Sequence, residues 1–213
     1  MAYLDDIIIY SATFNEHLQH LQLVFFSKMR SVNLLLKLSK CTFCCFQFLY
    51  FGYLVSRFGI ATDPAKVVAI KATKHPTNLT ELRSWISIMG YYRRFVRDFS
   101  RIAAPLRQLL KKDVPYQWDK AEQTAFSTLK NALITAPILV FSNFDKPFRL
   151  DIDRSKLGLG AILSQQQSGS KLYHVIAYAS RATNINESNY SASKVELLAM
   201  LSGFEHFKPL FPR

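Results

Sequence analysis

The chain opens on Ala2-Tyr3-Leu4-Asp5-Asp6-Ile7-Ile8-Ile9-Tyr10, where two adjacent acids stand between apolar, β-forming flanks. Strand formers on both sides of the acids predict a hairpin that carries its charges at the turn. Two carboxylates about 4 Å apart repel by about 4 kcal/mol at an effective dielectric of about 20, so a site that keeps both ionised usually offers a cation. Mg²⁺, a hard ion that prefers oxygen ligands, is the natural candidate. Asp is also a common turn residue, and residue types alone favour an ordinary turn.

The composition places the chain among folded globular proteins with a polyanionic partner. Its 213 residues are 49% hydrophobic and 20% charged, enough for one sizeable domain or two small ones. The 27 Lys and Arg residues outnumber the 15 Asp and Glu residues, and the net charge of +12 favours nucleic acid, with an anionic membrane surface as the competing partner. Because the longest apolar run, Phe43 to Val55, is too short and too interrupted to cross a bilayer, we expect no membrane partner.

The cysteines and the start of the chain bear on cellular location. Cys41, Cys44 and Cys45 share one short apolar segment and have no distant partner, which argues against a secreted disulfide scaffold. Cys41 and Cys44 have C-x-x-C spacing, but their phenylalanine neighbours favour buried packing over a zinc site. We expect no signal peptide, since Met1 leads within a few residues to acids. These features predict an intracellular protein of the cytoplasm or nucleus, not a secreted one.

The middle of the chain combines helix signals with a run of cations. Asp63-Pro64 and the capping pattern Asn78-Leu79-Thr80-Glu81 predict the starts of two helices, and Gly90 is expected to end the second. Beyond Gly90, aromatic rings alternate with cations while only Asp98 and Asp113 supply nearby acids. This excess favours contact with phosphates over internal ion pairing, against the alternative of a solvated helix face. The candidate nucleic-acid-binding residues are Tyr91, Tyr92, Arg93, Arg94, Arg97, Arg101, Arg107, Lys111 and Lys112.

Hydrophobic spacing supplies the remaining elements. It predicts a helix over Asn15 to Asn33 and short strands over Leu34 to Lys40 and Phe46 to Val55, with a turn at Arg57-Phe58-Gly59. A single amphipathic helix, with no residues that suggest chemistry, is expected between Tyr116 and Pro137. The last part of the chain is predicted to form three strands over Phe148 to Asp153, Gly158 to Ser164 and His174 to Ala179, and a helix containing Ser193 to Phe207.

In this order and spacing, the motifs resemble the reverse transcriptase and ribonuclease H region of the Pol polyprotein of gypsy-type LTR retrotransposons. Tyr3-Leu4-Asp5-Asp6-Ile7-Ile8 is similar to the metal-binding hairpin of the reverse-transcriptase palm, and the resemblance covers nearly the whole chain. The other motifs that carry it are His17-Leu18-Gln19-His20-Leu21, Lys40-Cys41-Thr42-Phe43, Asp63-Pro64-Ala65-Lys66-Val67, Glu81-Leu82-Arg83-Ser84-Trp85, Gly90-Tyr91-Tyr92-Arg93-Arg94-Phe95, Ala103-Ala104-Pro105-Leu106, Ala136-Pro137-Ile138-Leu139, Ala177-Tyr178-Ala179-Ser180-Arg181 and Glu196-Leu197-Leu198-Ala199.

The resemblance implies an α+β fold. Its parts are the C-terminal part of a reverse-transcriptase palm, a helical thumb and connection, and the first half of a ribonuclease H-like α/β fold with three antiparallel strands plus a helix. The implied divisions are a lower palm at residues 1–58, a thumb-like helical region at 59–115, a connecting segment at 116–145 and a truncated ribonuclease H-like domain at 146–213.

The resemblance also implies the residues of two catalytic centres. Asp5 and Asp6 would bind Mg²⁺, with Mn²⁺ as the alternative ion, in the polymerase site. Asp153 and Glu196 fall on the positions of the acids that hold the metal in ribonuclease H. Arg154 stands where the family usually has a small residue, and we expect it to neutralise part of the charge on Asp153.

The intact protein is then expected to be an RNA-directed DNA polymerase with ribonuclease H that binds a template–primer duplex of RNA or DNA and deoxynucleotides. Each centre needs a further acid that we expect outside these residues, so this fragment alone is expected to be inactive. A catalytically inactive, basic nucleic-acid-binding remnant is the alternative. A purely structural scaffold would have no affinity for nucleic acid even at low salt. The sequence leaves the oligomeric state open.

Overall fold

The computed structural model describes residues 2–3, 6–155, 158–167 and 169–211. Contacts divide the chain into two compact units, residues 1–45 and residues 46–213. The segments expected to form the thumb, the connection and the ribonuclease H-like domain all fall in the second unit. Within the described ranges, no helix combines the length and the apolar content that a membrane span requires.

The first unit begins with the predicted hairpin. Strands β1 (Ala2–Tyr3) and β2 (Asp6–Ile7) pair antiparallel, with Ala2 opposite Ile7 and Tyr3 opposite Asp6. The connecting residues Leu4 and Asp5 lie outside the described residues. The strand pairing that the apolar flanks predict is therefore confirmed.

A helix follows, as the spacing over Asn15 to Asn33 predicts. Helix α1 (Phe14–Gln22) starts at a capping box, in which Thr13 Oγ1 accepts the Glu16 N–H at 3.3 Å and Glu16 Oε2 accepts the Thr13 N–H at 3.2 Å. The helix continues as a π-helical stretch, Leu23–Met29. The reciprocal cap satisfies two backbone donors that the first turn would otherwise leave unpaired.

The strand predicted over Leu34 to Lys40 is wrong. Asn33 adopts a φ of 53°, and the Leu34 N–H turns back to the Met29 carbonyl at 3.0 Å. The rest of the segment has no strand pairing and closes in a single 3₁₀ turn, Leu38–Lys40. A run of β-forming residues becomes a strand only where a neighbouring strand binds its backbone, and none does so here among the described residues.

The cysteines lie near the surface, which corrects the expectation of buried packing. Cys44 and Cys45 are exposed, Cys41 is half-buried, and all three thiols are free. The neighbouring Phe43 is exposed as well. Throughout the described ranges, no group of three or more His, Cys, Asp and Glu side chains is placed to hold a metal ion.

The second unit opens with a three-stranded antiparallel sheet. The predicted strand over Phe46 to Val55 is two strands joined by a turn, at which Phe51 and Gly52 have φ values of 45° and 67°. Ile60 and Leu139 exchange backbone hydrogen bonds of 2.8 and 2.9 Å and so tie this sheet to the later part of the chain. The strands are β3 (Gln47–Tyr50), β4 (Tyr53–Ser56) and β5 (Gly59–Thr62).

Side-chain caps start the next helices where the sequence predicts. Asp63 Oδ1 accepts the Ala65 N–H at 2.8 Å, and Asn78 Oδ1 accepts the Glu81 N–H at 2.9 Å. Gly90 does not end the second of these helices, which continues for one more residue. The helices of this part are α2 (Pro64–Ala72), α3 (Leu79–Tyr91), α4 (Phe99–Ile102), α5 (Ala104–Gln108) and α6 (Lys120–Ile134).

These helices share one hydrophobic core. Leu82, Trp85 and Met89 of α3 are buried in the same cluster as Phe126 and Leu129 of α6. The rings of Trp85 and Phe126 have centroids 4.7 Å apart. Burying a side chain of this size contributes about 1.5–3 kcal/mol. The cluster also includes residues of the stretch 92–112, called the basic segment below, and so fixes that segment against the rest of the unit.

The last part of the chain is the predicted antiparallel sheet and helix. Asp153 lies opposite Gly160, and Gly160 opposite Ser180, so these three residues share one face of the sheet. The final helix packs on the other face, where a Cβ on Gly203 would lie 3.2 Å from that of Ala161. The elements are β6 (Arg149–Ser155), β7 (Gly158–Gln166), β8 (Tyr173–Ala182) and α7 (Ala192–Phe207).

Candidate functional site

The hairpin with the predicted polymerase acids is described through its backbone alone. Asp6 lies opposite Tyr3 in the antiparallel pair. Asp5 and the carboxylate of Asp6 fall outside the described residues. Asp5 and Asp6 therefore stay predicted metal ligands.

Asp153, the predicted first-strand ligand of the nuclease, faces a second acid. Asp98, in the left-handed conformation with a φ of 54°, precedes α4 and lies over the sheet beside Gly160. A Cβ on Gly160 would be 2.7 Å from Asp98 Oδ1, so only glycine leaves room for this approach. Burial of the Asp98 carboxyl and the neighbouring Asp153 carboxylate raise the pKa of Asp98.

Arginines accompany these two acids. Arg101 Nη2 lies 2.8 Å from Asp98 Oδ2, and Arg97 Nη2 lies 3.8 Å from Asp153 Oδ2. Arg97 Nε also lies 3.9 Å from Asp98 Oδ2. The cavity next to the acids has a volume of about 10 Å³, room for about one water molecule. Two of the predicted nucleic-acid-binding arginines, Arg97 and Arg101, thus pair with acids of this chain, while their side chains stay 61% and 51% exposed.

Glu196, the second predicted nuclease ligand, belongs to the opposite face of the sheet. Consecutive strand residues point to opposite faces, so Arg154 faces away from Asp153. Arg154 Nη2 pairs with Glu196 Oε1 of α7 at 3.2 Å. The expectation that Arg154 neutralises Asp153 is therefore corrected: Arg154 pairs with Glu196, and Arg97 pairs with Asp153.

As arranged here, Asp153 and Glu196 do not fit a common magnesium centre. A divalent ion needs several oxygen ligands that converge on one point, and these two acids lie on different faces with a guanidinium at each. No third metal-binding side chain joins either acid among the described residues. Their role as metal ligands stays a prediction, and no catalytic step can be derived from their geometry.

The two predicted tyrosines support the β3–β4 hairpin. The Tyr92 hydroxyl donates to the Gly52 carbonyl at 2.8 Å, and the Tyr91 hydroxyl donates to the Phe51 carbonyl. The ring of Tyr91 stacks on that of Tyr53, with centroids 5.2 Å apart. Burial raises the pKa of both Tyr53 and Tyr92 to about 12. Tyr92 is only 3% exposed, so its ring cannot stack on a base, whereas Tyr91 is 48% exposed.

Three of the predicted arginines keep their positive charge uncompensated. Within the part of the chain that the structure describes, Arg93, Arg94 and Arg107 have no carboxylate partner. The Arg107 guanidinium lies over the Phe99 ring at 5.5 Å, and that of Arg94 lies over the Tyr53 ring at 5.9 Å. Burial and the charge of Arg93 lower the pKa of Arg107. These arginines form a concentrated positive surface, and Lys111 and Lys112 are exposed beyond α5.

The sequence analysis missed a histidine near this surface. A cleft of about 330 Å³ has Arg93 on one wall and His206, from the end of α7, on another. Partial burial of the His206 ring and the charges of Arg93 and Arg94 lower its pKa. No local pattern marks His206, because it is more than one hundred residues from the arginines and only folding brings them together.

Comparison with known protein families supports the expected identity. Residues 118–212 match the family described as the RNase H-like domain found in reverse transcriptase. Over 209 residues the chain is 41% identical to the retrovirus-related Pol polyprotein from transposon 297 of Drosophila melanogaster, covering 98% of this chain and 19% of that polyprotein. It is 35% identical over 217 residues to the Pol polyprotein from transposon opus of the same organism, covering 97% and 21%. The chain thus spans about a fifth of the length of these relatives.

Solved structures show a similar fold. A foamy viral protease-reverse transcriptase in complex with double-stranded DNA, in the form called dRH, has a TM-score of 0.85 and 22% identity, over 99% of this chain and 37% of that one. The foamy viral protein in complex with an RNA/DNA hybrid has a TM-score of 0.83 and 22% identity, over 98% and 28%. At this level of identity the likeness establishes the fold.

Proposed function

This chain belongs to the reverse transcriptase and ribonuclease H region of retrotransposon Pol polyproteins, and we propose that its part in the intact protein is to hold the template–primer duplex. The intact protein would be an RNA-directed DNA polymerase with ribonuclease H. In that protein the duplex of RNA or DNA lies along the basic segment after α3, and deoxynucleotides enter at the hairpin that carries Asp5 and Asp6.

The observation that carries this proposal is the set of arginines without carboxylate partners. Arg94 and Arg107 lie over the rings of Tyr53 and Phe99, and Arg93 is exposed. No acid that the structure describes neutralises the charge of these three arginines. Leaving like charges close together disfavours the folded state, so their concentration is best explained by an anionic partner. Contacts from guanidinium groups to phosphates are independent of base sequence and weaken as salt is added.

The proposal assigns metal-dependent chemistry to the intact protein. The ribonuclease H-like reverse transcriptase family is generally dependent on divalent metal ions. We propose Mg²⁺, with Mn²⁺ as the alternative, at Asp5 and Asp6, where the bound ion would stabilise the charge that develops during phosphoryl transfer. Asp153 and Glu196 would join such chemistry only after leaving their arginine partners.

Duplex binding by the 213-residue chain tests the proposal. Fluorescence anisotropy with a labelled RNA/DNA hybrid should show an affinity that falls linearly with salt on logarithmic axes, with a slope of about −0.9 for each phosphate contacted. The double variant Arg94→Gln, Arg107→Gln should make that slope less steep, by the amount expected for the loss of about two phosphate contacts. Arg149→Gln is the control for loss of a paired charge: it removes one positive charge, from an arginine that lies 2.9 Å from Asp151, and should leave the slope nearly unchanged. No binding at low salt would overturn the proposal in favour of a structural scaffold.

A second candidate, an inactive nucleic-acid-binding remnant, is favoured by one observation. Each predicted nuclease acid forms an ion pair with an arginine: Asp153 pairs with Arg97, and Glu196 pairs with Arg154. Primer-extension and hybrid-cleavage assays with Mg²⁺ separate the candidates. The remnant predicts binding without turnover, whereas extension that Asp5→Asn abolishes would establish a working polymerase site.

A further inference from the structure

A cleft between α7 and the basic segment has the dimensions of a ligand site. Its volume is about 330 Å³, at the small end of the range for ligand pockets and roomy enough for a phosphate with part of its sugar. Four elements form it: the 3₁₀ turn Arg93–Phe95, strands β7 and β8, and helix α7. The polar and charged side chains that line it are those of Arg93, Arg181, Ser202, Glu205 and His206.

The two arginines at this cleft, Arg93 and Arg181, differ in whether a carboxylate pairs with them. Arg181 is held by a bidentate pair with Glu187, at 2.8 and 2.9 Å, and donates to Ser202 Oγ at 3.1 Å. Glu205 adds a second carboxylate near Arg181. Arg181 is therefore neutralised, whereas Arg93, on the cleft wall, has no carboxylate partner among the residues that the structure describes.

His206 faces charged groups from every element that packs around it. The 3₁₀ turn presents Arg93 and Arg94, β8 presents the paired Arg181, and its own helix supplies Glu205. Its ring packs edge-on against Phe207, with centroids 5.0 Å apart, which orients the imidazole. A cleft that places a histidine among cations disfavours the protonated ring until an anion arrives.

We propose that this cleft binds one phosphodiester group of the nucleic acid that the chain holds, with Arg93 on one side of the phosphate and protonated His206 on the other. The assignment rests on the proposed function and deepens it. The hydroxyl of Ser202, which accepts a hydrogen bond from Arg181, is the neutral partner at the same cleft. A phosphate charge placed between the two cations removes their mutual repulsion, so binding and proton uptake by His206 are coupled.

The coupling predicts that affinity for the duplex rises as pH falls. Arg93, Arg94 and partial burial hold the pKa of free His206 below its ordinary value of 6.5, and a bound phosphate raises it again. At a pH between the pKa of His206 in the free protein and its pKa in the complex, the complex carries a proton that the free protein lacks. Each unit by which the anion raises the pKa strengthens binding by at most about tenfold at low pH.

The test is anisotropy of the 213-residue chain with a labelled RNA/DNA hybrid at constant ionic strength, between about pH 5 and about pH 8. The wild type should bind more tightly at the acid end, and His206→Gln should bind with an affinity that no longer changes with pH over this range. Arg93→Gln should make the dependence of affinity on salt less steep, by the amount expected for the loss of about one phosphate contact. His174→Gln is the matched control, since His174 lies on β8, contacts Ser170 Oγ at 3.3 Å and does not line the cleft.

Two outcomes separate this inference from the proposed function. Salt-dependent binding whose pH dependence survives in His206→Gln overturns the cleft assignment and leaves duplex binding in place. No binding by the wild type at low salt overturns both. A second readout uses inorganic phosphate as the probe: the imidazole resonance of His206, followed by NMR, should titrate at a higher pH when phosphate is present, and an unmoved titration contradicts the proposal.

Discussion

Asp98 lies so close to Gly160 that a methyl group on Gly160 would sit 2.7 Å from Asp98 Oδ1. This approach places the acid that precedes α4 directly on the sheet of the ribonuclease H-like part, beside Asp153. The basic segment and the sheet therefore meet at a contact that a single added carbon atom would disturb.

Gly160→Ala should destabilise the protein. Asp98 cannot retreat freely, because Arg101 binds its carboxylate at 2.8 Å, so the overpacking should cost about 1–3 kcal/mol of unfolding free energy. Chemical denaturation measures the change. Gly90→Ala is the matched control: a Cβ there meets nothing within 4 Å in helix α3, and the substitution should stabilise by about 0.5–1 kcal/mol. Equal effects at the two glycines would contradict the close contact.

Ser180→Ala should weaken the same junction through a lost hydrogen bond. Ser180 Oγ accepts the backbone N–H of Ser100 at 2.9 Å, and Ser100 is 2% exposed, so water cannot replace the acceptor. Leaving this donor unpaired should reduce stability by about 1–3 kcal/mol, measured by urea unfolding. Ser87→Ala, on the exposed side of α3, should change stability by less than about 0.5 kcal/mol. A neutral Ser180→Ala would show that the two serines do not form this bond.

Mg²⁺ should not stabilise the chain through Asp153 and Glu196. The two acids lie on opposite faces of the sheet, each beside an arginine, so they are not placed to share an ion. Thermal unfolding with and without Mg²⁺ should give the same shift for the wild type and for the double variant Asp153→Asn, Glu196→Gln. An ion bound at these acids would add about 2.7 kcal/mol to the wild type at a concentration one hundred times its Kd. A shift of that size, absent from the variant, would show that the acids leave their arginines to bind metal.

Stability should fall in mild acid because of His206. Its folded pKa lies below the unfolded value of 6.5, so the unfolded chain binds more protons once the pH drops below that value. The contribution of neutral His206 is therefore fully present above pH 6.5 and is lost as the pH falls through the folded pKa. Urea unfolding of the wild type and His206→Gln across this window should show a smaller acid loss in the variant. If the wild type and His206→Gln lost the same stability in acid, the lowered pKa of His206 would be contradicted.

Local signals predicted most elements of the fold. The caps at Asp63 and Asn78 start their helices in the structure, and the three strands and final helix of the last part appear in the predicted order. Capping and alternation involve residues close in the chain, so they are visible in the sequence. The strand expected over Leu34 to Lys40 failed because strand formation needs a distant partner that the local pattern does not name.

The sequence by itself determined the excess of positive charge, the helix starts, the strand alternation and the family of this chain, since these follow from residue types and their spacing. The tertiary structure decided which charges are free. Among the residues that the structure describes, Arg97 and Arg101 pair with acids and Arg93, Arg94 and Arg107 do not, and His206 lies near Arg93 and Arg94 although it comes from the far end of the chain. The physical reason is that charge interactions depend on distance through space, and folding sets that distance independently of separation along the chain.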